Sequence, residues 1–354
     1  MVKIYQRYIV LLYLKNFFII FCSLEFFYAG VDFITNISKL PDSANLQFLY
    51  LLFNLMSAVN YTLPLSIIFA MIVSKFSMIR SNELISMYAV GITKNALILP
   101  IFCTALFLTF GYIALNFTSF SYAYEYKSNL LKYNQILSTS SDLFLKYEGK
   151  YIYFGELNLL RQEVTDVKIF DIKDNELQEI ISAQKGVFVD NAWILENVEI
   201  TKKPEIAENL SVKSEIIKLP YTTVLEKFRP KIIENAYLGQ SSLSIPDAID
   251  AIIFFGAQGV NIDSVKTNLY LMIFFPFFAP FIVVIFYYYL PLSGRFFNLA
   301  LMNFVFVFTA LAGWGVLFVL GKFASNGVIA AEISILMPIV ILKITSLILY
   351  RKNR

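Results

Sequence analysis

The sequence predicts an α+β membrane protein, with six membrane-spanning helices split three and three around a β-rich insert. Three observations predict it. Apolar runs near residues 9–34, 46–73 and 96–117 precede a polar stretch between 119 and 266, and three more, near 268–290, 300–320 and 328–350, follow it. Each run is long enough to cross a hydrocarbon core of about 30 Å, which takes about 20 helical residues. Inside the polar stretch, short segments rich in β-branched and aromatic residues alternate with turn residues. A mean hydropathy of +0.64 and a hydrophobic fraction of 58% over 354 residues separate the chain from soluble proteins of its size.

Composition excludes several functions. Net charge is only +3, so no bulk field draws nucleic acid. Histidine is absent, which removes Ser–His–Asp and Cys–His catalysis and any His-containing zinc site. The two cysteines, Cys22 and Cys103, lie in apolar runs, so the polar insert folds without disulfides. No GxxxxGK[ST] loop occurs, and Gly321-Lys322 is followed by Phe323, so ATP is not bound through a P-loop.

The elements follow in order. The start, Met1 to Arg7, is short and basic. The run after it is too long for a signal-peptide core and lacks a small-residue cleavage site, so it reads as a retained helix. It carries Lys15, Glu25 and Asp32. The second run is too long for a straight crossing, and Pro64 removes a backbone donor and predicts a kink. Residues 46–57 would begin at the outer interface and 63–75 complete the passage. After the third run, seven strands are expected over 143–147, 150–154, 164–171, 176–183, 186–189, 192–200 and 215–219. A spacing of about ten residues per strand suggests a sandwich or jelly roll. Tyr151, Phe154, Phe188, Trp193 and Ile194 are expected to face inward. They make either an ordinary core or the greasy interior of an open sandwich that holds lipid chains, and both readings stand open. Residues 244–257 begin with a capping serine, an early proline and an acidic first turn, which predicts a short helix returning to the membrane. Pro276, Pro280 and Pro291 predict kinks and an abrupt end in the fourth span. Lys343 lies in the sixth.

Charge sets the topology. Lys3 and Arg7, then Lys75, Arg80 and Lys94, then Arg295, and finally Arg351, Lys352 and Arg354 fall on one side of six spans. That side is expected to be cytoplasmic, with both termini on it and the insert opposite.

Residues 78–95 join the second and third spans. Ser81 or Asn82 is placed to cap a helix starting at Glu83, whose charge suits the positive helix end. Leu84, Met87 and Tyr88 recur at helical spacing, and Gly91 fits the far cap. One reading is a connector on the membrane surface. The other is a docking knob, an apolar ridge with one carboxylate fitting a groove on a cytoplasmic partner.

The stretch from Leu63-Pro64-Leu65 through Arg80-Ser81-Asn82-Glu83-Leu84 to Met87-Tyr88-Ala89-Val90-Gly91-Ile92-Thr93 resembles the segment joining the second and third helices of the LptF/LptG permeases. The similarity extends over essentially the whole chain, including Val31-Asp32-Phe33-Ile34, the insert after the third span, and Pro291-Leu292-Ser293 with Arg295. The start at residues 5–8 and Val31-Asp32-Phe33 look more like the G member than the F member.

The resemblance implies a non-catalytic subunit of an ABC transporter that extracts lipopolysaccharide from the bacterial inner membrane. It implies spans 1–3 within 1–120 with a coupling helix at about 81–92, a periplasmic β-jellyroll domain within 121–266 inserted between helices 3 and 4, and spans 4–6 within 267–354. It implies a paralogous LptF-like partner, a dimeric LptB-like cytoplasmic ATPase that holds the ATP and Mg, and periplasmic jellyroll bridge proteins like LptC and LptA. No cofactor is expected in this chain. Glu83, Leu84, Met87, Tyr88 and Gly91 map to the ATPase-coupling segment. The G subunit of that family often has a basic residue near the outer end of helix 1, where this chain has Tyr28-Ala29-Gly30-Val31; Lys39, Lys127 and Lys132 are the candidates for contacting lipid phosphates instead. Helices 1 and 5 form the gates, with Glu25 and Asp32 as cavity or gate residues. Two other readings remain. Glu25 could mark an ion-coupled transporter, or the helices could merely anchor a periplasmic scaffold or binding protein.

Overall fold

In the computed structural model the described residues are 3–134, 139–147, 149–158, 161–173, 176–190, 192–203, 215–226, 228, 242–256, 262–293 and 298–353. The helices are α1 (Ile4–Thr35), α2 (Ala44–Arg80), α3 (Glu83–Ala89), α4 (Lys94–Leu115), α5 (Ala123–Tyr133), α6 (Ile245–Gly256), α7 (Asp263–Ile273), α8 (Phe278–Tyr289), α9 (Leu299–Ser325) and α10 (Met337–Lys352). Six strands lie between α5 and α6: β1 (Thr139–Tyr147), β2 (Lys150–Asn158), β3 (Glu163–Lys173), β4 (Glu176–Val189), β5 (Ala192–Lys202) and β6 (Glu215–Val224). The chain divides into two units. One comprises Met1–Tyr124, Ser244–Ile252 and Asn261–Arg354; the other comprises Glu125–Leu243 and Ile253–Val260.

Among the described residues, the first unit contains six helical stretches long and apolar enough to cross a membrane, in the places the apolar runs predict. The fourth joins α7 and α8 through a 3-10 turn at Phe275–Phe277. Pro276 sits in that turn and Leu290 is extended before Pro291, so these two interruptions occur, whereas Pro280 lies in the first turn of α8 and does not break it. Pro64 does not break α2, which runs unbroken from Ala44 to Arg80. A π turn at Glu332–Leu336 leads into α10. Helix α2 is the central one: 83% of its apolar stretch is buried, against 11% for α9.

Helix α1 is fastened to α2 by polar rungs along its length. Asn16 Nδ2 donates to Ser74 Oγ at 2.8 Å, and the Tyr13 hydroxyl to the Ile67 carbonyl at 3.0 Å. Thr62 donates to Glu25, Asn54 Nδ2 to the Ala29 carbonyl at 3.3 Å, and Tyr50 to Asp32. In a lipid environment such rungs hold helices together where the hydrophobic effect supplies little.

Three of the charges that set the topology stand differently in the structure. Lys75 is not in a loop. It lies inside α2 and is only 2% exposed. Arg295 and Arg354 lie outside the described residues.

The second unit is built on one antiparallel sheet whose strands neighbour one another in chain order, β1 to β6. All seven expected strand segments fall on it, with 176–183 and 186–189 merged into β4. The reason for the expected gap is visible in the pairing. Phe154 faces Val167, and Glu156 faces Thr165, so Gly155 stands opposite Asp166. By the same register Asp142 faces Gly155, Asp166 faces Gln184, Gln184 faces Asn197, and Asn197 faces Pro220. These six positions form a row across the sheet, and none is a ladder pair.

On alternate strands the row residue is left-handed: Asp142 at φ 55°, Asp166 at φ 48° and Asn197 at φ 52°. Asp and Asn are the non-glycine residues that tolerate this conformation best. Each strand's buried set shifts by one residue there. Ile152 and Phe154 are followed by Leu157; Val164 by Val167 and Ile169; Trp193 and Leu195 by Val198. In a regular strand an odd step changes face. The row absorbs that step, so a single apolar face continues across the crease. Gly155 is required in it, because a Cβ there would lie 2.8 Å from Asp166 Cβ. An open groove of about 760 Å³ runs along the crease, lined by Asp166, Gln184, Asn197, Lys218 and Pro220 among others.

The core of this unit centres on Trp193. It is fully buried, donates from Nε1 to the Phe228 carbonyl at 2.7 Å, and meets the rings of Phe154 and Phe188 at 5.7 and 5.3 Å. Phe154, Phe188 and Trp193 therefore face inward as expected. Tyr151 and Ile194 do not belong with them. Each differs by an odd step from its buried neighbours, Ile152 and Trp193. Tyr151 instead stacks on the exposed Phe144 at 5.8 Å, under the ammonium of Lys146.

Candidate coupling site

Helix α3 is the shortest helix of the first unit and lies between two spans. Seven residues cannot hold a helix in isolation, so its ends and its packing hold it. At its start, Asn82 takes a left-handed turn (φ 60°), and neither Ser81 nor Asn82 caps with its side chain. Ser81 Oγ bonds back to the Ser77 and Met78 carbonyls instead. The expected side-chain cap is therefore absent, and Asn82 serves through its backbone. At the far end the cap is as expected. Gly91 has φ 87°, its amide donates to the Tyr88 carbonyl at 2.9 Å, and the Ile92 amide donates to the Met87 carbonyl at 3.1 Å. This paired closure needs the freedom of glycine.

The packing of α3 corrects the docking-ridge reading. Leu84 is fully buried, and Met87 and Tyr88 are half-buried against the core of their own unit. These three anchor the helix. The outward apolar residues are Ile85, 42% exposed, and Val90, 81% exposed. Glu83 lies partly exposed at the start, and its Oε2 accepts from the Tyr8 hydroxyl of α1 at 2.6 Å. Tyr88 reaches another element: its hydroxyl lies 3.2 Å from the Tyr287 hydroxyl at the end of α8. Burial pushes the Tyr88 phenol up, against the opposing effect of that bond, so it remains a neutral hydroxyl.

A polar cluster surrounds this contact. Lys75 Nζ donates to the Tyr287 carbonyl and to the Leu290 carbonyl at 2.9 Å, and lies 4.3 Å from the centre of the Tyr287 ring. The Tyr288 hydroxyl donates to Asn95 Oδ1 at 2.6 Å, and Asn95 Nδ2 donates to the Tyr350 carbonyl at 2.9 Å. The cluster thus joins α2, α4, α8 and α10 beside α3. None of Lys75, Asn95 or Tyr287 was singled out by sequence reasoning as a site residue. A lysine and an asparagine close to span ends read as interfacial groups.

The other candidates are scattered. Glu25 is 6% exposed; one carboxyl oxygen accepts from Thr62, and Oε2 is buried without a hydrogen-bond partner among the described residues. It therefore faces α2 within its own chain. Asp32 accepts from Tyr50. Lys39 is exposed on the 3-10 turn Ile37–Lys39. Lys127 and Lys132 lie on α5, an element the sequence reading left out. Lys132 is exposed, but Lys127 is only 6% exposed and has partners, which argues against an open phosphate contact there.

Comparison with known proteins gives one family. The profile described as lipopolysaccharide export system permease LptF/LptG matches residues 7–352. Among curated proteins, none matches the chain.

Proposed function

We propose, from the premise that this chain belongs to the LptF/LptG family of lipopolysaccharide-export permeases, that it is the G-like, non-ATPase subunit of the exporter. In this reading it pairs with an F-like paralogue above a dimeric cytoplasmic ATPase, which supplies ATP and Mg. Lipopolysaccharide enters sideways between helices, is pushed outward when the ATPase dimer closes, and passes along the apolar face of a jelly-roll-like insert to periplasmic bridge proteins. The termini and α3 lie on the cytoplasmic side.

The observation that carries this reading is α3. A carboxylate and two exposed apolar residues are presented by a helix whose other side is bolted to the membrane unit through Leu84. A push on such a helix is passed to the spans through the packing of Leu84, Met87 and Tyr88, because seven residues keep their helical form only while docked there. A lone carboxylate facing a basic residue of the ATPase would give a strong charge-assisted contact. Lys39 and Lys132 remain proposed phosphate contacts, and Glu25 and Asp32 are assigned to the α1–α2 rungs beside the gate.

The test is purification of the full chain with its partner permease and ATPase in lipid nanodiscs. Lipopolysaccharide-stimulated ATP hydrolysis that falls at least about ten-fold in Glu83→Lys, with the chain still folded, supports the reading. Unchanged ATPase attachment and stimulation would remove it. One observation favours a second reading, an ion-coupled carrier: the buried Oε2 of Glu25, which has no hydrogen-bond partner among the described residues. That reading requires transport driven by an ion gradient without ATP.

A further inference from the structure

Lys75 carries an amine into the core of the helical unit. A lysine 2% exposed is costly, because its charge has left water. Among the described residues no carboxylate lies within ion-pair distance of it. What faces its ammonium is the C-terminal end of α8: the carbonyls of Tyr287 and Leu290 and the face of the Tyr287 ring. The last carbonyls of a helix lack partners within the helix and carry partial negative charge. Lys75 satisfies two of them with one group. A leucine or methionine in the same helix position would be cheaper to bury, but would leave this end of α8 open.

The clamp fixes more than a helix end. Lys75 holds Tyr287 by its carbonyl and by its ring, and the hydroxyl of that same residue meets Tyr88 of α3. Tyr287 is itself 3% exposed, so its ring has no room to swing. Glu83 and Tyr88 are five positions apart, which places them on different sides of α3. One side is tied to α1 through Tyr8, the other to α8 through Tyr287.

We propose that the Tyr88–Tyr287 bond, set in place by Lys75 as its positioning residue, is the point at which displacement of α3 enters the second helical half of the chain. The inference rests on the reading of α3 as the coupling helix. Lys75 touches neither ATPase nor lipid in this scheme. It keeps α8 rigid where α3 pushes on it.

The experiment uses the full complex in proteoliposomes and reads lipopolysaccharide released per ATP hydrolysed, together with ATPase attachment. Tyr88→Phe and Tyr287→Phe remove the same bond. Each is expected to lower lipid released per ATP about five-fold, the population factor of a single neutral hydrogen bond, and the double variant no further, since the two act as one unit. Lys75→Met is expected to lower it at least as much, with ATPase attachment retained. A structural role alone would lower yield or heat stability and leave lipid per ATP unchanged. The proposal is overturned if the two Phe variants transport with unaltered lipid per ATP, or if their losses multiply as independent sites. The two tyrosine variants keep it testable should Lys75→Met fail to fold. If the unsubstituted complex itself exports nothing with ATP, the functional reading fails and the relay falls with it. If that complex exports and the variants match it, only the relay is lost.

Discussion

Replacing Leu84 by alanine should detach α3 from the spans while leaving the spans intact. Leu84 is fully buried in a helix of seven residues, whose other anchors, Met87 and Tyr88, are only half-buried. Truncating a buried leucine costs about 2–5 kcal/mol. Elsewhere that cost is spread over a whole fold, but here it falls on one docking equilibrium. Isolated helices need about 12–15 residues before they are even marginal, so α3 has no reserve of its own. At about 1.4 kcal/mol per decade, the docked population relative to the undocked falls at least about 30-fold. The assay is lipopolysaccharide-stimulated ATP hydrolysis and ATPase retention on a tagged chain in nanodiscs, with melting of the membrane unit followed in parallel. Stimulated hydrolysis should fall by an order of magnitude or more with melting nearly unchanged, because the cluster around α2 and α8 keeps its other members. Leu84→Met, which keeps the volume, should cost less than about 1.5 kcal/mol and keep most of the activity. Full ATPase retention and full stimulation in Leu84→Ala would refute the reasoning that burial of this side chain carries the push.

Three further outcomes are expected. Trp193→Ala should destabilise the sheet unit by about 3–5 kcal/mol, seen as earlier cleavage in limited proteolysis, because it empties a fully buried site and leaves the Phe228 carbonyl without its donor; Trp193→Phe should recover part of this. Gly155→Ala should cost about 1–3 kcal/mol through overpacking against Asp166, whereas Gly149→Ala, with open space around it but φ 82°, should cost about 1–2 kcal/mol through its backbone alone; urea melts of the full chain distinguish the two. Glu25→Gln keeps an acceptor for Thr62 and removes the titratable group, so ATP-driven export should persist; its abolition in a chain that still folds would favour ion coupling.

Much of the architecture is legible in the sequence because membrane spans are announced by length and apolarity alone, and all six lie where the runs lie. The strands are legible for a similar reason, period-2 alternation, and the one error among them is instructive. Residues 176–189 read as two strands because the apolar period slips at Gln184, where the crease passes; pairing to β3 and β5 keeps one register on both sides of it. A left-handed residue on a neighbouring strand leaves no local mark at Gln184. Tyr151 and Ile194 read as interior residues on hydrophobicity alone, against the parity of their buried neighbours Ile152 and Trp193.

The site was read less well, for physical reasons of the same kind. Helical spacing identified the ridge of Leu84, Met87 and Tyr88, but periodicity reports that a face is apolar and not what it packs on; here it packs on its own chain. Asn82 was expected to cap with its side chain and caps with its backbone, a difference carried by one φ angle. Lys75 reads as a topological charge in the sequence because it stands near a span end. Its burial depends on carbonyls more than two hundred residues further along the chain, and no local window contains them.

The most direct test of the central claim is release of lipopolysaccharide from proteoliposomes that hold the chain, its partner permease and the ATPase, measured with and without ATP and in Glu83→Lys. Release that requires ATP and is lost in the variant while the complex stays assembled is the expected result. Release that proceeds without ATP, or that continues at full rate in Glu83→Lys, would contradict it.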